Sequence, residues 1–167
     1  MARRLRREEL PFLTRAPVRQ VHRGSVALPA HRVFSWLAHH PESWPDWFSP
    51  AQVCRYEPGL PPGVGSIRRL SLRGGIRARE RILAWDDDER FAYRVEEVNL
   101  PGIRAFVEEW TLAPVAQDRT ELQWLLAVDC TPPVALLLRA ARRPLDHVFQ
   151  EGTRRMAALS RSGTAPA

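Results

Sequence analysis

The sequence predicts an α+β fold in which a seven-stranded, curved antiparallel sheet wraps around one long C-terminal helix, with two short helices after the first strand. Two observations predict it. The last long segment, residues 132–159, is apolar along one helical face from end to end. Before it lie strand-like segments whose connections are too short for crossovers, so the strands must form an antiparallel meander. Because a lone amphipathic helix cannot keep its apolar face in water, we expect the sheet to cover it.

The spacing of apolar residues defines the C-terminal helix. Val134, Leu137, Leu138 and Ala141 fall at i, i+3, i+4 and i+7, and the stripe stays in phase beyond Pro144. Its later members are Leu145, Val148, Phe149, Gly152, Met156 and Leu159. A proline inside a helix removes a donor and clashes with the preceding turn. We therefore expect one long helix, kinked at Pro144.

The earlier elements follow from alternation and turn residues. A first strand over residues 18–28 is followed by a short helix over 30–39, and residues 40–50 suggest a second helical turn and a loop. Six more strands are predicted over residues 52–56, 66–72, 76–85, 91–99, 104–112 and 120–129. The predicted organisation is a basic N-terminal tail (1–17), one folded domain (18–160) and a disordered tail (161–167).

Composition excludes several classes of function. The 167 residues suffice for one domain, and the 25 basic residues, all arginine, exceed the 19 acidic ones. Without lysine, Schiff-base chemistry and a Walker-type phosphate loop are excluded. The arginines are scattered apart from four in the first seven residues, so no nucleic-acid partner is expected.

Other patterns argue against membrane spans, metals and cofactors. No run approaches the roughly 20 apolar residues that a bilayer needs, and the basic N-terminus lacks a following apolar segment. Cys54 and Cys130 suggest buried thiols in a reducing compartment, so we expect a cytoplasmic protein. The remaining acid–base or metal candidates, histidines 22, 31, 39, 40 and 147, have no recognised ligand spacing, and we expect neither a metal nor a cofactor.

Alternation also predicts polar residues on the inward face of the sheet. If residues 73–75 form a three-residue loop, Arg68 lies opposite Glu80, and counting across the next turns brings Glu97 and Glu108 into the same row. Closely spaced carboxylates raise at least one pKa, as a general acid near neutral pH requires. The alternative is a structural Arg68–Glu80 ion pair, with a bulge that turns Glu97 or Glu108 to solvent.

Several segments carry a family resemblance: Glu42-Ser43-Trp44-Pro45-Asp46-Trp47, Gly63-Val64-Gly65, Arg79-Glu80-Arg81-Ile82 before Trp85-Asp86, and Glu109-Trp110-Thr111-Leu112. Over residues 18–160 the chain resembles the START-like (SRPBCC) helix-grip superfamily, and within it the polyketide cyclase/dehydrase branch. The resemblance implies an internal cavity between sheet and helix for an apolar small molecule.

Three functions are compatible with these observations. In a cyclase-like enzyme, the catalytic residues would be Glu108, Glu97 and Arg68, moving protons in an aldol closure or a dehydration of a poly-β-ketone chain. The ligand-binding residues would then be Glu80, Tyr93, Asn99, Phe106, Trp110, Trp124, Phe149 and Met156. The alternatives are a non-catalytic lipid or quinone carrier and a cavity-free protein-interaction module. A monomer and a dimer are equally compatible with the sequence.

Overall fold

Antiparallel strands are the largest class of regular structure in the computed structural model, which describes residues 2–59 and 61–162. The strands are β1 (Arg3–Arg4), β2 (Val18–Val26), β3 (Ala51–Tyr56), β4 (Ile67–Leu72), β5 (Ile76–Asp86), β6 (Arg90–Val98), β7 (Ile103–Ala116) and β8 (Arg119–Cys130). The α-helices are α1 (Phe12–Arg15), α2 (Ala30–Phe34), α3 (Trp44–Trp47), α4 (Pro132–Ala140) and α5 (Arg142–Arg161). A π-helical turn (Ser35–His39) and a 3₁₀ turn (Pro41–Ser43) join α2 to α3. The disordered tail predicted for 161–167 lies, from residue 163, outside the described residues.

The sheet has the predicted α+β topology. Its strand order is β2-β8-β7-β6-β5-β4-β3, so consecutive strands from β3 to β8 pair as a meander and β2 joins at β8. The short Arg73–Gly75 turn places Arg68 opposite Glu80, as the sequence predicts. Gly74 lies at φ 80° and Gly75 at φ 77°, left-handed conformations that glycine adopts without strain. A curved sheet of seven long strands that faces a C-terminal helix is confirmed.

The C-terminal helix divides at Ala141, so the prediction of one helix kinked at Pro144 is wrong. Pro144 is the third residue of α5, where the missing N–H has no intrahelical partner to lose. The predicted stripe is wrong at Leu137, whereas Val134 and Leu138 of the same stripe pack against buried side chains of β2 and β8. Leu137 is 67% exposed, and α4 has no buried residue.

Helix α5 covers one part of the concave face of the sheet. Phe149, Met156 and Ala157 are buried there, and the helix packs on β2 and α3. Gly152 allows the closest approach, since a Cβ at this position would lie 3.2 Å from Cε3 and 3.3 Å from the backbone oxygen of Trp47. The absent side chain therefore sets the distance between α5 and α3.

The N-terminal segment, predicted as a tail, packs on the sheet. Beyond the pair Arg94↔Val107, β6 and β7 no longer pair with each other, and β1 pairs with β6 at this point. The Leu5 amide donates to Glu96 O at 2.9 Å, and the Arg6 amide donates to Arg104 O at 2.8 Å. The segment thus bridges β6 and β7, and α1 packs on the outer face of β7 and β8 through buried side chains of Phe12 and Leu13.

Two further expectations concern thiols and membranes. Cys54 and Cys130 are both free and buried, as predicted. Among the described residues, no helix combines the length and the apolar composition required to cross a bilayer.

Valine at Gly152 should push α5 away from α3, because the new side chain meets the Trp47 ring and backbone. We expect the free energy of unfolding to fall by about 1–3 kcal/mol. Urea denaturation followed by tryptophan fluorescence measures the change. Ala158→Val, at an exposed position of the same helix, is the matched control, and equal effects of the two variants would contradict the packing argument.

Candidate functional site

A cluster of polar side chains lies on the concave face of the sheet, surrounded by apolar core. Arg68 of β4, Glu80 of β5, Tyr93 of β6 and Glu108 of β7 are all buried. Alternation along each strand turns them inward together with their apolar neighbours. Three of the four residues predicted to form a polar row therefore lie on one face of three strands.

The Arg68–Glu80 pair is fully enclosed. Glu80 Oε2 lies 2.8 Å from both Nε and Nη2 of Arg68, and Arg68 Nη1 donates to Leu37 O at 3.4 Å. Burial lowers the pKa of Arg68, but Glu80 together with Cys54, Tyr93 and Tyr56 raises it by more in total, so the pKa stands well above its ordinary value. Arg68 is therefore a permanent positive charge inside the protein.

Aromatic rings surround the Arg68 guanidinium. Its central carbon lies 4.3 Å from the ring centroid of Trp44, 4.4 Å from that of Tyr93 and 5.2 Å from that of Phe91. Cations are attracted to the faces of such rings, most strongly where water is absent. The rings supply part of the stabilisation that the guanidinium loses when it leaves water.

Glu108 accepts two hydrogen bonds through one oxygen. Its Oε2 lies 3.0 Å from the Tyr93 hydroxyl and 2.7 Å from Trp124 Nε1. The Tyr93 hydroxyl in turn accepts a hydrogen bond from Trp110 Nε1 at 3.2 Å. Donors from the two neighbouring strands, β6 and β8, therefore fix the orientation of the carboxyl group.

Burial raises the pKa of Glu108 to about 7, and the nearby charge of Glu80 acts in the same direction. The hydrogen bonds from Trp124 and Tyr93 and the charge of Arg68 oppose the rise without cancelling it. Glu108 is therefore a carboxyl that gains and loses a proton near neutral pH, the property required of a general acid or base.

Stacked rings occupy the space between this cluster and α5. The rings of Trp110 and Trp124 are stacked at 5.1 Å between centroids with an interplanar angle of 11°. Phe149 of α5 lies 6.1 Å from Trp110 and 6.4 Å from Trp124, and Met156 is fully buried in the same cluster. The predicted ligand-binding residues Tyr93, Trp110, Trp124, Phe149 and Met156 are thus brought together.

Other apolar residues on the concave side are less completely covered. These partly buried residues pack against the core cluster and are Leu72, Ala78, Phe106, Leu145 and Val148. Phe106, predicted to bind ligand, is one of them. Apolar groups on the concave side thus stay partly accessible both on the sheet, as at Phe106, and on α5, as at Leu145 and Val148.

Glu97 does not lie in the polar row, and the prediction that it does is wrong. A bulge between Arg79 and Glu80 gives β6 one extra residue, so Glu80 lies opposite Val95 while Arg79 lies opposite Glu97. Glu97 therefore shares the outer face with Arg79, and its Oε1 lies 3.5 Å from Arg4 Nε.

Asn99 also lies away from the cluster. Its Oδ1 accepts a hydrogen bond from the Arg77 amide at 2.8 Å, and its Nδ2 donates to Gly75 O at 2.8 Å. This exposed side chain ties the end of β6 to the start of β5, so its position differs from the predicted one inside the sheet.

His22, one of the five histidines considered as acid–base or metal candidates, is buried, which we do not predict from the sequence. Its Nδ1 lies 3.2 Å from Asp146 Oδ1, its ring lies 5.4 Å from that of Trp124, and its Nε2 has no hydrogen-bond partner. Alternation on β2, where Gln20 and His22 share a side with Val18 and Val26, is the sequence signal that could have placed it inside.

No metal centre is found within residues 2–59 and 61–162. No group of three or more histidine, cysteine, aspartate or glutamate side chains in these ranges is arranged to hold a metal ion. The chemistry of the cluster, as described, is that of one carboxyl group near a fixed positive charge.

Removing Arg68 while keeping Glu80 should strongly destabilise the fold, because an unpaired carboxylate would remain buried. We expect Arg68→Met to lower the free energy of unfolding by roughly 3–5 kcal/mol, and Arg68→Met/Glu80→Leu to recover most of it. Chemical denaturation measures both. Arg79→Met, on the outer face beside Glu57 and Glu96, is the control and should cost less than about 1 kcal/mol. If Arg79→Met lowers the free energy of unfolding as much as Arg68→Met does, the cost of an unpaired buried carboxylate is contradicted.

The titration of Glu108 should appear in the pH dependence of stability. Its pKa is about 7 in the folded protein and near the ordinary 4.5 when unfolded, so folding favours the protonated form. The stabilisation is complete at pH values below the pKa of Glu108 in the unfolded protein. It is lost as the pH rises through the pKa of Glu108 in the folded protein. Relative to Glu108→Gln, the wild type should lose roughly 3 kcal/mol between about pH 4 and about pH 8. Parallel pH dependences of the two proteins would contradict the raised pKa.

Known proteins place the chain in a family. A family model described as "Polyketide cyclase / dehydrase and lipid transport" matches residues 19–161. A protein of Mycobacterium tuberculosis, described as uncharacterised, is 27% identical over 163 residues, covering 93% of each chain.

Solved structures share the fold. A START superfamily protein from Mycobacterium smegmatis has a TM-score of 0.71 at 17% identity, covering 84% of this chain and 98% of that one. The Zhui aromatase/cyclase from Streptomyces sp. R1128 has a TM-score of 0.69 at 20% identity, covering 89% of this chain and 99% of that one. With the family match over residues 19–161, the START-like resemblance of the sequence is confirmed, and the chain belongs to the polyketide cyclase/dehydrase and lipid transport family.

Proposed function

We propose that this protein binds an apolar or aromatic small molecule on the concave face of its sheet and that Glu108 transfers protons to and from it. The observation that carries the proposal is a buried carboxyl group with a pKa of about 7, held by Tyr93 and Trp124. A carboxyl that serves only packing would cost stability without a compensating role.

The proposed reaction class is the closure or dehydration of a β-ketone chain, as in the aromatase/cyclase that shares the fold. In an aldol closure, the Glu108 carboxylate removes a proton from the carbon between two carbonyl groups. The resulting enolate carbon forms a bond with a second carbonyl carbon, and Glu108 returns the proton to that carbonyl oxygen. In a dehydration, the protonated carboxyl gives its proton to the leaving hydroxyl, water departs, and the Glu108 carboxylate so formed accepts the proton that the adjacent carbon loses. A single group near half-protonation at neutral pH can do both.

Arg68 has an electrostatic role in this proposal. Its guanidinium is enclosed by Glu80 and aromatic rings, and its charge already lowers the pKa of Glu108. A fixed positive charge in a dry site favours the enolate oxygen as negative charge develops on it. Glu97, on the outer face, has no part in this reaction.

The partly accessible apolar side chains indicate where the ligand would lie. Leu72, Ala78 and Phe106 of the sheet, and Leu145 and Val148 of α5, are partly buried residues that pack against the core cluster. Glu108 follows Phe106 by two residues on β7, so both side chains face inward. An apolar ligand against Phe106 would therefore reach the carboxyl group from that end.

A non-catalytic carrier is the second candidate function. The observation that favours it is that Glu108 and Arg68 have protein partners and that rings fill the space under α5. Apolar ligands need only such a lining, without proton transfer.

Small molecules extracted from purified protein and identified by mass spectrometry test ligand binding, and turnover of a synthetic poly-β-ketone thioester tests catalysis. Glu108→Gln keeps an oxygen acceptor for Tyr93 and Trp124 but cannot transfer protons, so we expect kcat to fall by about 10²-fold or more. Glu97→Gln, an equal change on the outer face, is the matched control and should leave turnover unchanged.

The outcomes separate the three functions. If the wild type and Glu108→Gln both bind ligand and neither turns over the thioester, the carrier function is favoured. Turnover by Glu108→Gln at the wild-type rate would remove Glu108 from the mechanism. No extracted ligand and no binding of an aromatic fluorescent probe would favour the interaction module.

A further inference from the structure

Helix α4 is apolar on two opposite sides. Its inner side, Val134, Ala135 and Leu138, packs against the buried cluster of Val18, Val128 and Cys130. Its exposed apolar residues are Pro132, Pro133, Leu136, Leu137 and Ala140. They recur at helical spacing and form a second face, which we call the outer face of α4.

The outer face of α4 is exposed to solvent in the described structure. Leu136 is 68% exposed and Leu137 is 67% exposed, so two adjacent leucine side chains stand in water. A helix that is apolar all round is normally buried on all sides. Contiguous exposed apolar groups of this kind mark a surface that binds a partner.

Arginines without acidic partners surround the outer face of α4. Arg139 lies on α4, Arg142 and Arg143 begin α5, and Arg19 lines the same surface depression as Arg139 and Arg142. None of these four arginines forms an ion pair with a described residue, whereas Arg79, Arg81 and Arg94 on the outer face of the sheet all pair with Glu96. The partner of this surface must therefore be both apolar and negatively charged.

We propose that the outer face of α4 docks on an anionic phospholipid bilayer. Leu136 and Leu137 insert between acyl chains, while Arg139, Arg142, Arg143 and Arg19 meet the phosphate groups. Long arginine side chains reach headgroups while their stems stay in the apolar zone. A second copy of this chain fits the surface poorly, since a two-fold interface would bring the same arginines together.

The position of α4 gives this docking a consequence for the concave face. Its inner side packs beside Phe106 and Ile103, which are partly buried. Docking would place that part of the protein next to the bilayer. The docking itself rests on exposure and charge and is independent of the proposed reaction.

Co-sedimentation with vesicles tests the proposal on the full chain. We use vesicles of equal parts phosphatidylcholine and phosphatidylglycerol, and vesicles of phosphatidylcholine alone. The wild type should bind the mixed vesicles and bind them more weakly as salt increases, because salt screens the arginines. Leu136→Ser/Leu137→Ser should weaken binding by at least about tenfold, and Arg139→Gln by about fivefold.

The matched control for the leucines is Val64→Ser, since Val64 is 66% exposed in a loop between β3 and β4. The control for the arginine is Arg119→Gln, at the exposed start of β8. Both controls should bind the mixed vesicles as the wild type does. Circular dichroism verifies that each variant is folded, which is expected because all the changed side chains are exposed.

Three results would overturn the proposal. Failure of the wild type to bind mixed vesicles is the first. The second is an equal loss of vesicle binding in Val64→Ser and in the double leucine variant, or no loss of binding in either. The third is a dimer in sedimentation analysis that Leu136→Ser/Leu137→Ser converts to monomers, which would assign the face to a second copy.

Discussion

The interior ion pair of Arg68 and Glu80 is the constraint on which the rest of the structure depends. A slip of one residue between β4 and β5 would move one partner to the outer face and leave the other charge unpaired inside. The pair therefore fixes the register of these strands. Trp44 of α3 covers the guanidinium, so the ion pair also fixes where α3 lies against the sheet.

The charge distribution inside the sheet explains why Glu108 differs from Glu80. Glu80 has a guanidinium at hydrogen-bond distance, whereas Glu108 has only neutral donors, the Tyr93 hydroxyl and the Trp124 ring nitrogen. Neutral donors stabilise a carboxylate less than a cation does. One carboxyl group is thus committed to structure, and the other is free to exchange a proton.

Alternation and short turns were sufficient for the seven long strands, for the meander from β3 to β8 and for the inward position of Arg68, Glu80 and Glu108, but not for β1 or for the pairing of β2 with β8. They could not place Glu97. The bulge inserts one residue within the pair Glu96-Glu97, so both side chains lie on the outer face, and nothing in two adjacent glutamates indicates that alternation fails between them. The helix break was also hidden, since Ala141 is a good helix former and Pro144 attracts attention instead.

The surroundings of the site were less predictable than its polar residues. The rings around Arg68 come from α3 and β6, and no local pattern reports contacts between segments so distant in the chain. The contact of His22 is unpredictable for the same reason: its partner Asp146 lies on α5, far along the chain. Leu137 was assigned to the core because a helical stripe shows which residues share a face but not whether another element covers it.

The bridge that residues 3–6 form between β6 and β7 affects the order in which the protein can assemble. Their hydrogen-bond partners, Glu96 and Arg104, are synthesised about a hundred residues after them. The same delay applies to β2, whose partner strand in the sheet is β8. Residues 3–6 and β2 must therefore stay without their final neighbours while the strands between them are synthesised, and the sheet closes along both seams only after β8 has emerged.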